Sequence, residues 1–253
     1  MFEHELSSSS SKYPSEKHIR TEKDGDFQCV ECCFPIKRLY IQYSPGNIRL
    51  KRCENCKNVA DEYIECEHMI TVIDLILHKP KAYRHLFYNK FTKGTLDFEG
   101  LLWGSTLGYL ILDAYAMSIL SLSEKDWTSA MSFASLWHYY GEFLIGIIVG
   151  NVVFMLILLI GFEKFINASA AGLGCKHIVL AILVSCYFKI FLVAMMVWEF
   201  PSSVVFMIDM FILSSNTVAL KVLGNAAAIR CLGVSFAAYA VKFLTCQWLR
   251  RLL

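Results

Sequence analysis

Cys29-Val-Glu-Cys32 and Cys53-Glu-Asn-Cys56 decide the fold of the front of this 253-residue chain. Two Cys-x-x-Cys pairs with twenty residues between them are typical of a structural zinc site, because each pair forms a turn whose sulfurs converge. Four thiolates leave no open position for a substrate or water, so the sequence predicts one structural zinc ion. The predicted ligands are Cys29, Cys32, Cys53 and Cys56. Cys33 and Cys66 stay open as alternative ligands.

The residues between and after the two pairs predict a small zinc ribbon over residues 27–68. Lys37–Tyr43 and Ile48–Arg52 favour two strands, and Ser44-Pro-Gly-Asn47 favours a type II turn in which Gly46 takes a positive φ. Val59–Ile64 favours a third short strand. Such a core is too small to fold alone, so the metal is expected to supply most of the folding energy, on the order of 10 kcal/mol.

Charge divides the chain into a water-compatible front and an apolar rear. Residues 1–97 hold 15 of the 24 Lys and Arg and 14 of the 22 Asp and Glu. Residues 1–26, with five consecutive serines, predict a disordered tail because they offer little apolar surface to bury. The predicted thiolate site indicates a reducing compartment, so the front is expected in the cytosol.

The rear, residues 98–253, predicts an all-α transmembrane bundle. Apolar runs long enough to cross a bilayer, or nearly so, define five expected spans, and the fourth is the weakest. These spans are residues 101–122, 143–162, 178–198, 204–220 and 231–248. Gly100, Gly104 and Gly108 in the first span and Gly146 and Gly150 in the second have the spacing of close helix contacts, which favours packing of the two spans on each other. The alternatives are a dimer seam and glycine without a helix partner.

Residues 69–97 predict an amphipathic linker at the cytosolic membrane face, in which basic residues alternate with aromatic ones. Lys and Arg attract anionic headgroups, while aromatic rings favour the interface, so a membrane is preferred to nucleic acid as the partner of this segment. The basic residues are Lys79, Lys81, Arg84, Lys90 and Lys93.

Three charged residues are expected at membrane depth, namely Asp113, Lys189 and Asp209, and a fourth, Lys242, lies in the last expected span. A charge at this depth is costly unless it is paired, so Asp113 and Lys189 are expected to pair, with Asp209 as the rival partner. The alternatives are an ion pair that stabilises the bundle, a polar lining for a lipid or sterol headgroup, and an ion path.

Several stretches of the front part resemble the homology domain of the Arv family. They are Tyr43-Ser-Pro-Gly-Asn-Ile-Arg-Leu50, Cys53-Glu-Asn-Cys56, Val59-Ala-Asp61, Tyr63-Ile-Glu65 and Ile73-Asp-Leu-Ile-Leu-His-Lys-Pro80. The resemblance is dense over about residues 27–90, is nearest to plant members, and carries the family's zinc-type cysteines onto the four predicted ligands. It implies an endoplasmic-reticulum membrane protein of sterol uptake, trafficking and distribution that influences sphingolipid metabolism.

The chain shows none of the common nucleotide-binding, hydrolase or metalloprotease motifs, so it is not expected to be an enzyme. Two functions stay open. One is a mediator of sterol homeostasis that contacts membrane lipids and sterols. The other is a non-transporting scaffold whose zinc ribbon binds enzymes of lipid synthesis or of glycosylphosphatidylinositol assembly, an association that the resemblance also implies.

Overall fold

A computed structural model of the chain describes residues 27–44, 46–91, 98–124, 133–166, 174–197, 201 and 203–252. Within them, a small β module that carries the four predicted cysteine ligands is followed by a helical region. The predicted fold class, a small cysteine-clamped β domain before a membrane helix bundle, is thus confirmed. The expected disordered tail, residues 1–26, lies outside the described residues.

Two short antiparallel ladders build the module, which we call the Cys module (residues 27–66). Strand β1 (Phe27–Gln28) pairs with β2 (Pro35–Ile36), and β3 (Tyr40–Ser44) pairs with β4 (Asn47–Leu50). The second hairpin turns with Gly46 at φ 84°, the positive value that the sequence predicts there. Its small apolar core is Phe27, Leu39 and Ala60.

The expected third strand over Val59–Ile64 does not form. Val59 makes a single bridge with Arg52, and Glu62–Ile64 is a 3-10 helix. The cause is Asp61, whose side chain accepts a hydrogen bond from the Tyr63 backbone N–H at 3.0 Å. This cap offers the backbone a helical turn in place of a ladder.

Eight α-helices follow in the described residues. They are α1 (His68–Ile76), α2 (Pro80–Arg84), α3 (Phe98–Glu124), α4 (Phe133–Gly161), α5 (Cys175–Ser185), α6 (Phe191–Val197), α7 (Ser203–Gly224) and α8 (Ala228–Leu252). Helix α2 continues as a π-helix over His85–Lys90, and a 3-10 segment, Cys186–Ile190, joins α5 to α6.

Among the described residues, four helical segments are long and apolar enough to cross a membrane: Leu144–Ile166, Cys175–Ala194, Ser203–Gly224 and Ala228–Leu249. The expected fourth span is therefore a full-length helix. The expected first span, 101–122, lies inside α3, and the side chains of its last residues, 119–122, lie outside those that the structure describes. Helix α3 packs against the others, since its Tyr109 and Ala116 share a buried cluster with Leu183, Phe188 and Ile208.

Close packing through glycine occurs between α4 and α8 rather than between α3 and α4. A Cβ on Gly150 would meet the Cys246 sulfur at 2.7 Å, whereas Cβ atoms on Gly104, Gly108 and Gly146 would meet nothing within 4 Å. The expected glycine contact of the first two spans is therefore wrong. The helices that approach closely are α4 and α8.

The Cys module packs against one end of the bundle. A single buried cluster joins Tyr63, Tyr83 and Phe87 to the end of α4, the start of α5, the end of α7 and the start of α8. We call this end the module side. The charged residues Glu163, Lys164, Lys176, Lys221 and Arg230 lie at these helix ends.

Candidate metal centre and buried charge cluster

The four predicted ligands converge. One sulfur from each of Cys29, Cys32, Cys53 and Cys56 lies within 4.8 Å of the others. The Cys29–Cys56 and Cys32–Cys53 sulfurs are 3.7 and 3.6 Å apart. Tetrahedral Zn–S bonds of about 2.3 Å require sulfurs about 3.8 Å apart, so the site fits a metal ion of that geometry. Cys66 instead donates to the Glu62 carbonyl at 3.2 Å.

We call the two Cys-x-x-Cys turns, Cys29–Cys32 and Cys53–Cys56, the first and second knuckle. Their backbone geometry matches. The N–H of Cys33 donates to the Cys29 carbonyl at 2.9 Å, and that of Lys57 donates to the Cys53 carbonyl at 3.0 Å. Both donors have positive φ, 61° and 62°, which is strained for residues other than glycine. Cys33 therefore closes the first knuckle through its backbone, which gives it a conformational rather than a ligand role.

Replacing Cys33 by glycine should stabilise the module while keeping one metal ion per chain. Glycine adopts positive φ without strain, so Cys33→Gly should gain about 0.5–1 kcal/mol. This gain in stability is measured as a higher denaturant concentration at the midpoint of metal release from the purified protein. Loss of bound metal in Cys33→Gly would instead assign Cys33 to the ligand shell.

Asp61 attaches the module to the helices. Its side chain is fully buried, and its Oδ2 lies 2.7 Å from His85 Nδ1 and accepts from Asn89 Nδ2 at 2.6 Å. Asn89 also exchanges two hydrogen bonds with the backbone of Gln28, each 3.0 Å. The π-helix that carries His85 and Asn89 therefore fits between β1 and the segment around Asp61.

The basic residues of α2 extend this contact. Arg84 donates to the carbonyls of Val30 and Glu31 at 2.9 and 2.8 Å, and Lys81 forms an ion pair with Glu31. The hydrogen bond to Glu31 raises the pKa of Lys81. These two side chains hold the module in place rather than extending to headgroups.

The other predicted basic residues have different surroundings. Lys79 pairs with Asp74 at 2.8 Å, and Lys90 is half-buried on the π-helix. Lys93 lies outside the described residues. Headgroup contact by Lys79, Lys90 and Lys93 stays a prediction.

Removing the Asp61 carboxylate should release the module from the bundle. Asp61→Ala leaves the buried donors of Tyr63, His85 and Asn89 unpaired, which should cost about 3 kcal/mol or more. Faster protease cleavage between residues 27 and 91 in folded protein measures this release. Glu65→Ala is the matched control, because Glu65 is an exposed acid four residues away; equal cleavage of the two variants would contradict the role of Asp61.

A charge cluster lies inside the bundle. Asp113 on α3 forms an ion pair with Lys189, and both side chains are buried. Asp113 Oδ2 also accepts from Lys242 Nζ at 2.9 Å and from Asn151 Nδ2 at 2.8 Å. The two ammonium groups lie 4.3 and 5.5 Å from the ring centre of Tyr109. One carboxylate thus links α3, α4, α8 and the segment between α5 and α6.

The structure brings together the expected pair Asp113–Lys189 but not Asp209. Within the described part of the chain, Asp209 forms no hydrogen bond or ion pair. The third member of the cluster is Lys242 rather than Asp209. The sequence places Lys242 in the last span but does not predict its contact with Asp113. Its signal in the sequence is a lysine in an otherwise apolar run, 129 residues from Asp113, and only the fold shows which charge it meets.

Comparison with known proteins agrees with this architecture. The profile of the Arv1-like family matches residues 28–220. Protein ARV 2 of Arabidopsis thaliana is 48% identical over 221 residues, which cover 87% of this chain and 93% of that protein. Protein ARV 1 of the same plant is 45% identical over 223 residues, covering 88% and 89%. Protein ARV1 of Homo sapiens is 28% identical over 210 residues, covering 79% and 73%. No solved structure matches the chain.

A four-cysteine module joined to four apolar helices fits a multi-pass membrane protein. The chain belongs to the Arv1-like family, as the resemblance in its front part predicts.

Proposed function

We propose that this protein mediates sterol homeostasis in the endoplasmic reticulum membrane, with effects on sphingolipid metabolism, and that its Cys module faces the cytosol with one structural zinc ion. Membership of the Arv1-like family supports the membrane and lipid role. Bound zinc would supply the cross-link that holds the two knuckles together. Zinc-bound thiolates favour the reducing side of the membrane.

One observation carries the lipid-handling role, namely the polar interior of the bundle. Two lysines share one carboxylate there, so among the groups in direct contact, Asp113, Lys189 and Lys242, there is one more ammonium than carboxylate, and Asp209 nearby pairs with neither lysine. Charged groups at membrane depth are costly and mark functional sites by default. An oxygen-rich lipid headgroup would complement this charge.

Unpartnered polar atoms lie around the same cluster. Asn151 Oδ1 and Ser235 Oγ are buried and have no hydrogen-bond partner in the described structure, and the buried Tyr239 Oη has only Asn216 close to it. Ser235, Tyr239 and Lys242 follow each other at i, i+4 and i+7, so they lie on one face of α8. Buried polar atoms are normally paired, so these atoms support a polar ligand or water between the helices.

The proposed action is not catalytic. Among the described residues, the buried His85–Asp61 pair is the arrangement closest to an acid–base site. Its carboxylate already accepts from Asn89 and from the Tyr63 backbone, so the pair serves packing.

Reconstituted vesicles test this function directly. Purified protein in liposomes should accelerate the movement of a fluorescent sterol analogue between membranes, and Lys242→Met should slow that movement while retaining bound zinc. Protein-free vesicles are the baseline. Movement no faster than in protein-free vesicles would rule out a direct lipid-moving role.

A scaffold is the second candidate function. Phe34, Ile41 and Tyr43 are exposed on the Cys module, away from its contact with α2, and could bind an enzyme of lipid synthesis. In that case Tyr43→Ser should abolish co-purification of such an enzyme, and the reconstituted protein should move no sterol.

A further inference from the structure

Helix α1 exposes a broad apolar surface. Met69, Ile70, Val72, Ile73 and Leu77 are 42–65% exposed. We call these five residues the α1 surface. Residues 68–77 contain no Lys or Arg. A surface that faces water would carry polar residues. A contiguous apolar patch such as this one instead marks an interaction site.

The opposite side of α1 is already occupied. Thr71 and Leu75 are buried, and Leu75 belongs to the cluster that joins the Cys module to the bundle. The one acid of the helix, Asp74, is neutralised by Lys79 at 2.8 Å and accepts from Tyr63 Oη at 2.8 Å. The helix therefore cannot turn its apolar surface inward, and no unpaired charge opposes placing that surface in hydrocarbon.

The end of α1 reaches the flank of the membrane helices. The His78 ring stacks on Phe188 with ring centres 5.9 Å apart, and Phe188 stacks on Phe211 at 4.9 Å. Phe188 and Phe211 each lie thirteen residues from the module-side end of their helical segment, Cys175–Ala194 or Ser203–Gly224. Thirteen residues correspond to about 20 Å along a helix, well within the length that crosses a bilayer.

The apolar surfaces of α1 and of the bundle are continuous. Beside the ring stack, Ile190, Phe191, Met210 and Phe211 are exposed apolar side chains of segments that are long and apolar enough to span the membrane. A membrane that surrounds this side of the bundle would therefore also contact the end of α1.

We propose that α1 is a membrane-inserted element whose surface contacts lipid acyl chains. Nine residues are too few to span, so α1 enters from the module side and the chain returns through α2. Tyr83 of α2 fixes the return by a 2.9 Å hydrogen bond to Ser215 of α7. This goes beyond the proposed function, because it concerns how the module is held at the bilayer, whether or not the bundle moves sterol.

Site-specific photo-crosslinking in lipid tests the proposal. A diazirine-bearing residue is placed singly at Met69 or Ile73 of the full chain, which is reconstituted in phosphatidylcholine vesicles containing an alkyne-tagged acyl lipid. The matched control is Tyr43 on the Cys module, which is 64% exposed against 65% for Met69. The membrane reference is Ile148 on α4, and one zinc ion per chain confirms that each protein is folded.

The yield of tagged lipid on the protein decides the outcome. Met69 and Ile73 should crosslink lipid as well as Ile148 does and about tenfold more than Tyr43, because acyl chains surround them. Yields no higher than that of Tyr43 would overturn the proposal. Adducts to a second copy of the chain or to another protein in place of lipid would overturn it as well, by showing that a protein covers α1.

Discussion

Cys53→Ser should empty the metal centre, unfold the Cys module and loosen the helix ends that contact it, while the rest of the helical bundle stays folded. Cys53 is 1% exposed, its sulfur lies 3.6 Å from that of Cys32, and its N–H holds the second knuckle through the Asn58 carbonyl at 2.8 Å. The apolar cluster that belongs to the module itself is small, with Phe27, Leu39 and Ala60 as its buried members. A bound zinc ion, contributing about 10 kcal/mol, would therefore supply most of the module's stability, and losing one thiolate would remove that contribution.

Metal content and protease protection measure this effect. Wild-type protein should hold one zinc ion per chain, and Cys53→Ser none, with new cleavage sites within residues 27–66. Cys66→Ser is the control, because this cysteine is outside the four-sulfur cluster. Full zinc occupancy in Cys53→Ser would contradict the assigned ligand set.

Asp113→Asn should destabilise the bundle more than loss of either lysine. The change leaves Lys189 and Lys242 buried without a counter-charge, and breaking a buried ion pair from one side costs about 3–5 kcal/mol. Lys189→Met leaves Asp113 paired one-to-one with Lys242, so its cost should be small. The double variant Asp113→Asn with Lys189→Met should recover part of the loss.

Unfolding by SDS in mixed micelles ranks these variants. The expected order of stability is wild type near Lys189→Met, then the double variant, then Asp113→Asn. If Asp113→Asn and Lys189→Met unfold at the same SDS midpoint, the Asp113 carboxylate does not stabilise the two buried lysines.

Local patterns account for what the sequence predicts well. The Cys-x-x-Cys spacing identifies the four sulfurs that converge, and the turn residues place Gly46 at positive φ. Long apolar runs identify the four membrane-length helices. Each of these features is set by residues near one another in the chain or by a repeated motif.

Contacts between distant residues could not be predicted in the same way. Asp61 meets His85 and Asn89 across 24 and 28 residues, and no periodicity links them. Asp61 instead caps a 3-10 turn, which is why the third strand fails. Lys242 meets Asp113 only because α8 packs beside α4, from where its side chain reaches α3, a neighbour relation that hydropathy does not encode.

The central claim is that the Cys module and the helical bundle form one body, held by Asp61, Arg84 and Tyr83. Hydrogen–deuterium exchange of the full chain in vesicles, with and without a zinc chelator, tests it most directly. Chelation should speed exchange in residues 27–66 and also in α2, the π-helix His85–Lys90 and the end of α7 near Ser215. Faster exchange confined to residues 27–66 would contradict the claim, because it would show a module that folds and unfolds without the bundle.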